Sequence, residues 1–308
     1  MGPTLKDIQY DPILSNISVD YKNELYVAEQ ILPPVTVKTR TGKYFNYDTS
    51  KFRKAMSLRA MGGHTNEVDF NLSQSTAFII KEHALKEIVP DELVDQAPLP
   101  LDPMMDAAEN VTEKLLIEKE YDLAVYMQST TNLSRNTTLS GTSQWSDYAN
   151  SDPIGDIQTG KTTIHGYIFR QPNVLVLGKQ VYDKLIQHPD IIDRIKYSQL
   201  GVAGTDLLAK LFDVDKVIVG GAGYESATEG QTSSMAYIWG KYAWLLYVNP
   251  RPTIKNISFG YHFQLKTPRI VDKWYEKDQK GTFVRVTDEY TREIVSANCA
   301  YLIKNAVA

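Results

Sequence analysis

The chain has 308 residues, of which 43% are hydrophobic and 23% are charged, with 18 Gly and 14 Pro. These proportions exclude a disordered, collagen-like or coiled-coil protein, and the length suits one large domain or two modest ones. The single cysteine, Cys299, excludes an intramolecular disulfide and a multi-cysteine metal site. A formal net charge of −4 gives no reason to expect a general affinity for nucleic acid.

The sequence predicts neither a targeting signal nor a membrane span. The N-terminal residues lack the basic flank and apolar run of a secretory signal. The longest apolar runs, such as 242–248, are too short to cross a bilayer. We therefore expect a soluble protein that has no membrane partner and is made in a reducing compartment.

The N-terminal quarter of the chain predicts an arm followed by a projection. Residues 1–28 are polar with little periodicity, which is typical of an extended arm. Pro33 and Pro34 stop a helix, and β-prone segments on both sides of a basic stretch predict that 38–80 forms a long two-stranded excursion. The excursion has few apolar residues, so it needs another surface to lie on, in its own subunit or in a neighbour.

Charge is distributed unevenly between this excursion and the segment after it. Seven basic residues lie in the excursion: Lys38, Arg40, Lys43, Lys51, Arg53, Lys54 and Arg59. From residue 82 to residue 122 there are twelve acids and three lysines. We expect inter-subunit contacts between the basic excursion and the helical acids Glu109, Glu113, Glu118 and Glu120. Attraction within one molecule, or solvated faces without a partner, are the alternatives.

The strongest helix signal begins at Asp102 and Pro103, a typical N-cap followed by proline at the first helical position. Apolar residues then recur at steps of three and four to about Asn132. A helix over 103–132 would be roughly 45 Å long, which is far above the usual length. We expect it to be the spine of a domain.

Residues 153–250 alternate between helical patterns and short apolar strands, and this alternation predicts an α/β domain. The segments 173–178 and 216–220 have the continuous apolar character of buried strands. The tail from 251 to 308 is mostly β-prone.

One motif suggests nucleotide chemistry. Residues Gly155–Thr162 match the phosphate-loop pattern GxxxxGK[ST] letter for letter. In a phosphate loop a buried strand leads into the glycines and a helix leaves at the Lys-Thr pair, so that backbone amides hold the phosphates. Here polar residues precede the motif, Pro153 stands where the strand should end, and the residues after Thr162 are poor helix formers. A nucleotide site at this motif stays an alternative function.

Other chemical groups form no catalytic pattern. The glycines at 220–223 follow a predicted strand, but Ser226 stands where a dinucleotide loop needs its third glycine. No two of the five histidines have a metal-ligand spacing, and Cys299 lies in an apolar tail that suits a buried structural thiol. We expect no enzyme activity, no cofactor and no metal.

Several segments along nearly the whole chain carry a resemblance to a known family. They are Tyr21–Pro33, Val35–Lys38, Gly42–Phe45, Pro172–Gly178, His188–Ile191, Leu208–Phe212, Ile238–Lys241 and Tyr247–Pro250. In their order and number these segments resemble the major capsid proteins of tailed double-stranded-DNA bacteriophages, which share the tailed-phage and herpesvirus-type capsid fold.

The resemblance implies an α+β fold with four parts. Residues 1–28 would be the N-terminal arm, and 38–80 the extended β-hairpin loop that overlaps a neighbouring subunit. A peripheral domain would take 29–37 and 81–144, including the spine helix 103–132. The axial domain would take 145–250, and 251–308 would return to the peripheral domain with the C-terminal strands. The apparent phosphate loop would then be the start of an axial-domain helix.

The resemblance also implies a function. The chain would be a structural protein that self-assembles into pentamers and hexamers and forms an icosahedral shell around double-stranded DNA. Its partners would be itself, a portal protein and packaged DNA bound without sequence specificity. Because the arm-like sequence begins almost at Met1, we expect a separate scaffolding protein or none. The protein would be assembled in the cytoplasm of a bacterial host and end in the virion capsid.

Two other structural roles are weighed against this one. An encapsulin-like bacterial compartment shares the fold but packages enzymes, and the long basic excursion and arm favour the phage protein. A tail or decoration protein is disfavoured by the spine helix and by the chain length.

Overall fold

The computed structural model describes residues 9–10, 26–45, 53–55, 57–59, 61–67, 75–96, 102–195, 204–228, 230–249, 251 and 257–308. Helices and strands are both abundant, as the α+β expectation requires. In chain order, the elements are β1 (Gln9–Tyr10), α1 (Ala28–Ile31), β2 (Pro34–Thr36), β3 (Thr41–Phe45), β4 (Ser75–Ile79), β5 (Lys81–Pro90), α2 (Asp91–Gln96), α3 (Pro103–Gln128), β6 (Asn136–Thr138), a 3₁₀ turn (Gly141–Ser143), α4 (Pro153–Ile168), β7 (Val174–Gly178), α5 (Lys179–Leu185), α6 (Pro189–Ile195), α7 (Thr205–Phe212), β8 (Lys216–Gly220), β9 (Gly223–Glu225), β10 (Met235–Tyr237), β11 (Ala243–Leu246), β12 (Gly260–Glu276), β13 (Gly281–Ile294), a second 3₁₀ turn (Ala297–Cys299) and β14 (Ala300–Lys304).

The first sheet is built around the long antiparallel hairpin of β12 and β13. β5 pairs with β13, while β1 and β2 pair with β12, and β2 is the parallel member. Side chains on a strand alternate between faces, so one face of this sheet can carry a continuous apolar stripe. That stripe packs against the first half of α3, and the buried residues of this contact are Val89, Ala107, Ala108, Val111, Leu115, Val271, Val284 and Val286.

Helix α3 is the predicted spine. The Asp102 side chain accepts a 3.0 Å hydrogen bond from the backbone N–H of Met104, as an N-cap should. The helix ends at Gln128, four residues before the predicted end at 132, because the following polar residues form a turn in which Asn132 donates to the carbonyl of Tyr126. Its 26 residues span about 39 Å, and its second half leaves the first sheet and enters the core of the second.

The second sheet has five strands in the order β6-β14-β11-β7-β8. β7 and β11 are buried along their whole length, as their continuous apolar sequences predict. Helices α4 to α7 pack around this sheet. Because the chain from 145 to 250 contributes strands β7, β8 and β11 with these helices, the predicted α/β organisation is present in this region.

The strands of the C-terminal segment are divided between the two sheets. Residues 251–308 were expected to return to the peripheral domain together, and β12 and β13 pair in the first sheet. However, β14 lies in the second sheet, between β6 and β11. β6, placed at 136–138 in the expected peripheral domain, is also there. The physical reason is that β14 has apolar side chains on both faces, with Leu302 and Ile303 completely buried, so it fits inside a covered sheet and not at a solvated edge.

The base of the predicted excursion is a two-stranded antiparallel ribbon, in which Thr41 pairs with Ile79 and Phe45 with Ser75. Gly42 allows the Phe78 ring to lie over the ribbon, since a Cβ at Gly42 would be 2.5 Å from that ring. Phe78 stacks on Phe263 of the first sheet with 4.4 Å between ring centroids. Of the excursion beyond this base, only 53–55, 57–59 and 61–67 belong to the described residues.

No described helix is both long enough and apolar enough to span a membrane.

Candidate assembly surfaces

Glu120 joins three segments of the chain. Its two carboxylate oxygens accept hydrogen bonds from the backbone N–H groups of Val27 at 2.8 Å and Ala28 at 2.9 Å. The same carboxylate accepts a 2.7 Å bond from the Trp239 indole. Burial raises the pKa of the Glu120 carboxyl above its usual range, while these hydrogen bonds and Arg292 act in the opposite direction. Glu120 therefore corrects the prediction: with 1% of its surface exposed, it is not available to a neighbour's loop.

The next residue, Lys119, is also buried and fixes the same N-terminal segment. Its ammonium lies 2.8 Å from the Glu29 carboxylate and 3.9 Å from that of Asp288. It also lies 4.8 Å from the centre of the Tyr290 ring. Burial raises the pKa of Asp288, although Lys119 lowers it. These contacts anchor residues 26–32 to the middle of α3.

A buried histidine completes this junction. His262 is 2% exposed, and its Nε2 has no hydrogen-bond partner among the residues that the structure describes. Burial, together with the nearby Lys119 and Arg292, lowers the pKa of His262 to about 2. The imidazole is therefore neutral at ordinary pH, packed 5.0 Å from the Tyr290 ring. The scattered positions of the histidines in the sequence gave no signal for this role.

The predicted basic residues lie on the surface. Among the described ones, Lys38, Lys43, Arg53, Lys54 and Arg59 are exposed. Lys51 lies outside the described residues. Arg40 forms an ion pair with Glu289 of the first sheet in its own chain, so this cation is already engaged.

Of the predicted acidic partners, Glu118 is exposed and Glu109 is half-buried. Glu113 is half-buried, and one of its oxygens accepts a hydrogen bond from the Tyr26 hydroxyl. The surface of α3 that a second subunit could reach thus keeps Glu109 and Glu118, and part of Glu113.

The phosphate-loop motif is not a loop. Residues Gly155–Thr162 lie inside the continuous helix α4, whose N-cap, Asp152, accepts a 2.8 Å bond from the backbone N–H of Gly155. The helix continues to Ile168, so the interpretation of the residues after Thr162 as poor helix formers was wrong. Most backbone amides of the motif are used in helical hydrogen bonds, which removes the cradle that phosphates require.

Lys161, the lysine of the motif, binds the C-terminal end of helix α7. Its ammonium donates to the carbonyls of Phe212 at 2.8 Å and Asp213 at 3.1 Å and to the Asp213 carboxylate at 3.1 Å. Phe212 is the last residue of α7, so Lys161 satisfies the C-terminal carbonyls of that helix, where a cation is favourable. A cavity of about 250 Å³ lies beside it, lined by Ile154, Ile157, Gln158, Lys161, Gln171, Arg194, Leu211, Phe212 and Asp213.

The other sequence candidates have structural positions. Gly220 is the last residue of β8, and a Cβ at Gly220 would lie 2.2 Å from the Trp239 ring, so close packing requires glycine there. Cys299 is buried, which raises the pKa of its thiol to about 12. In the described part of the chain, no three His, Cys, Asp or Glu side chains are grouped so that they could hold a metal ion.

One surface was missed by the sequence analysis. At the C-terminal end of α4, Phe169 has a left-handed backbone with φ 52° while 58% of its surface is exposed. Beside it, the Arg135 guanidinium stacks 3.8 Å from the centre of the Tyr167 ring. Arg170 is exposed and donates a 3.2 Å hydrogen bond to the Tyr247 hydroxyl. We name Arg135, Tyr167, Phe169 and Arg170 the aromatic–basic patch.

Comparison with known proteins gives consistent likenesses. A family model described as "Phage major capsid protein E" matches residues 104–225. The major capsid protein of Burkholderia phage BcepMu is 30% identical over 310 residues, which cover 98% of each chain. The crystal structure of a phage-related protein from Bordetella bronchiseptica RB50 has a TM-score of 0.75 and 28% identity, covering 96% of this chain and 97% of that one. The capsid structure of cyanophage P-SCSP1u shares the fold, with a TM-score of 0.55, 12% identity and coverage of 91% and 88%.

Proposed function

The chain belongs to the family of phage major capsid proteins, and from this we propose that it assembles into pentamers and hexamers that close into an icosahedral shell around double-stranded DNA. The observation that supports this proposal is the likeness over nearly the full length of the BcepMu capsid protein. The protein's place in this proposal is the virion capsid, after assembly in the cytoplasm of the bacterial host.

A shell of this kind needs different surfaces that meet on neighbouring copies. Contacts between unlike patches close into rings when the rotation between copies is suitable. Many weak contacts of this kind hold a shell together, although each one alone can be broken and re-formed. The first and second sheets, joined by α3, would act as the peripheral and axial domains of such a subunit.

The extended loop would supply one of these contacts. Its exposed cations Lys38, Lys43, Arg53, Lys54 and Arg59, with Lys51, would lie against the acids Glu109 and Glu118 on α3 of the next subunit. Arg40 contributes less, because Glu289 of its own chain already pairs with it. Surface ion pairs of this kind guide orientation more than they add affinity.

The further partners follow from the same role. A portal protein would occupy one vertex, and a scaffolding protein would guide closure of the shell. Packaged DNA would meet a subunit whose formal net charge is −4, so binding without sequence specificity and with low affinity is expected. Enzyme activity has no place in this proposal, and the helical geometry of Gly155–Thr162 argues against a nucleotide site.

Negative-stain electron microscopy of the purified protein, after a sizing column, tests the proposal. Closed shells, or rings of five and six, are the expected result. Nuclease treatment followed by extraction would then identify the cargo: double-stranded DNA is expected in particles from infected cells, whereas packaged enzymes would point to a bacterial compartment. A protein that stays monomeric alone and with phage scaffolding and portal proteins would contradict the proposal.

A further inference from the structure

The aromatic–basic patch at the end of α4 combines features that a free surface rarely has. Phe169 is bulky, more than half exposed and held in the left-handed region, which is costly for a residue with a Cβ. Tyr167 is 37% exposed, and Arg170 is exposed beside it. Aromatic and arginine side chains are the types enriched at the centres of protein interfaces. This cluster therefore has the composition of an anchor for another protein surface.

A surface of opposite character lies at the other end of the same helix. His188, just before α6, lies 3.1 Å from the hydroxyl of Ser151, the residue before the N-cap of α4. Helix α6 thus begins beside the start of α4, and it exposes Asp190, Ile192 and Asp193 together with one cation, Arg194. Ile192 is 48% exposed. We name Asp190, Ile192 and Asp193 the acidic–apolar patch.

The aromatic–basic patch lies at the end of α4, whose 16 residues span about 24 Å, and the acidic–apolar patch follows His188 near its start. Arg194, next to Asp193, and Gln171, next to Arg170, line one cavity. Acidic residues are absent from the sequence between 129 and 146 and between 157 and 182. The segments that carry the aromatic–basic patch therefore contribute no acid to it. The charges at each end also suit the dipole of α4, with acids near its N-terminus and cations near its C-terminus. That dipole does not account for the exposed rings of Tyr167 and Phe169.

We propose that the aromatic–basic patch of one subunit contacts the acidic–apolar patch of the next copy of this chain, head to tail. This inference rests on the proposed function and names the residues of one ring contact. Arg170 would face Asp193, and the rings of Tyr167 and Phe169 would cover Ile192. Two unlike complementary patches on one molecule are what a closed ring requires. The partner of the aromatic–basic patch is a second copy of this chain, because the complementary charge and the apolar residue are both present on the chain itself.

A charge exchange tests the contact. Arg170→Glu and Asp193→Arg would each place like charges opposite one another and lower the yield of shells about tenfold or more. The double variant restores the pair with reversed sign, so shells should return. Lys210→Glu changes an exposed cation outside both patches and should assemble as wild type. Shells are counted by negative-stain microscopy under the conditions in which the wild-type chain forms them.

Phe169→Gly gives a second test, because it should raise the stability of the subunit while it lowers the yield of shells. Glycine has no penalty at positive φ, so the unassembled subunit should unfold at a higher urea concentration while shell yield falls. Lys280→Gly relieves a similar positive φ at the turn between β12 and β13 and should raise stability without lowering the yield. Wild-type yields from Phe169→Gly and from both single charge variants would overturn the inference and leave the proposed function intact. A wild-type chain that forms no shells would instead contradict the proposed function.

Discussion

Glu120 and Trp239 are 119 residues apart in the sequence, and the carboxylate of the first accepts a 2.7 Å hydrogen bond from the indole of the second. Glu120 lies on the long helix α3, while Trp239 packs in the core of the second sheet. The same carboxylate holds the backbone of Val27 and Ala28. One side chain therefore fixes the relative position of the N-terminal segment, the spine helix and the second sheet.

Replacing Glu120 should destabilise the subunit strongly. Glu120→Ala leaves three buried donors without an acceptor, and we expect a loss of roughly 3 kcal/mol or more in the free energy of unfolding. Glu120→Gln keeps one acceptor oxygen and should lose less. Urea unfolding followed by tryptophan fluorescence measures both variants. Glu118→Ala, an exposed change on the same helix, is the control and should stay within about 0.5 kcal/mol of wild type.

His262 should make stability depend on pH. Its folded-state pKa is about 2, below the ordinary value of 6.5, so below pH 6.5 protons bind preferentially to the unfolded chain. The stability that the neutral His262 contributes to the fold is fully present above pH 6.5 and is lost as the pH falls. At pH 5.5 the free energy of unfolding should be lower by about 1.4 kcal/mol. His262→Asn removes it, and the stability of this variant should fall less than that of wild type between pH 7.5 and pH 5.5.

At two buried acids, a fall in pH should stabilise the fold, which is the opposite of its effect at His262. The pH dependence of the variant must therefore be compared with that of wild type. The pKa values of Glu120 and Asp288 are raised in the folded state, and acidification therefore favours folding at these positions. The difference between His262→Asn and wild type cancels their effect. An identical pH dependence in the two proteins would show that His262 is not buried as a neutral group.

Lys161 should matter for stability and not for nucleotides. Lys161→Met leaves the carbonyl of Phe212 without its donor, and we expect a loss of about 1–3 kcal/mol. Lys210→Met, at an exposed lysine of α7, should have almost no effect. Calorimetry with ATP and Mg²⁺ should detect no binding to wild type. Saturable binding that disappears in Lys161→Met would contradict the structural role and restore the nucleotide alternative.

Two glycines should respond to alanine in opposite directions. At Gly220 a Cβ would lie 2.2 Å from the fully buried Trp239 ring, so Gly220→Ala should cost about 3 kcal/mol. Around Gly166, inside α4, a Cβ would meet no atom of the described residues within 4 Å. Gly166→Ala should therefore stabilise the subunit by about 0.5–1 kcal/mol. Thermal unfolding of the two variants checks the signs, and a stable Gly220→Ala variant would show that Trp239 can move.

The sequence predicted features whose signals are local. The Asp102 cap, the periodicity of α3 and the apolar runs of β7 and β8 each require only neighbouring residues, and each element is present in the structure. The end of α3 was predicted four residues too late because weak helical propensity does not mark where a turn takes over.

Features that depend on tertiary contact could not be predicted in this way. A buried glutamate has the same sequence signature as an exposed one, so Glu120 was grouped with Glu118 although only Glu118 is accessible. The sheet to which β14 belongs is decided by partners such as β6 and β11, which are far away in sequence. The strained backbone of Phe169 likewise leaves no trace in its residue type.

The position of β14 sets the timing of folding during synthesis. β14 lies between β6 and β11, so the second sheet has a gap until residue 304 has left the ribosome. At about 5–20 residues per second, several seconds pass between the emergence of β11 and that of β14. During this interval the second sheet of the nascent chain is incomplete, so contacts that need this sheet cannot form between the chains on one polysome. Association through the second sheet therefore waits for β14.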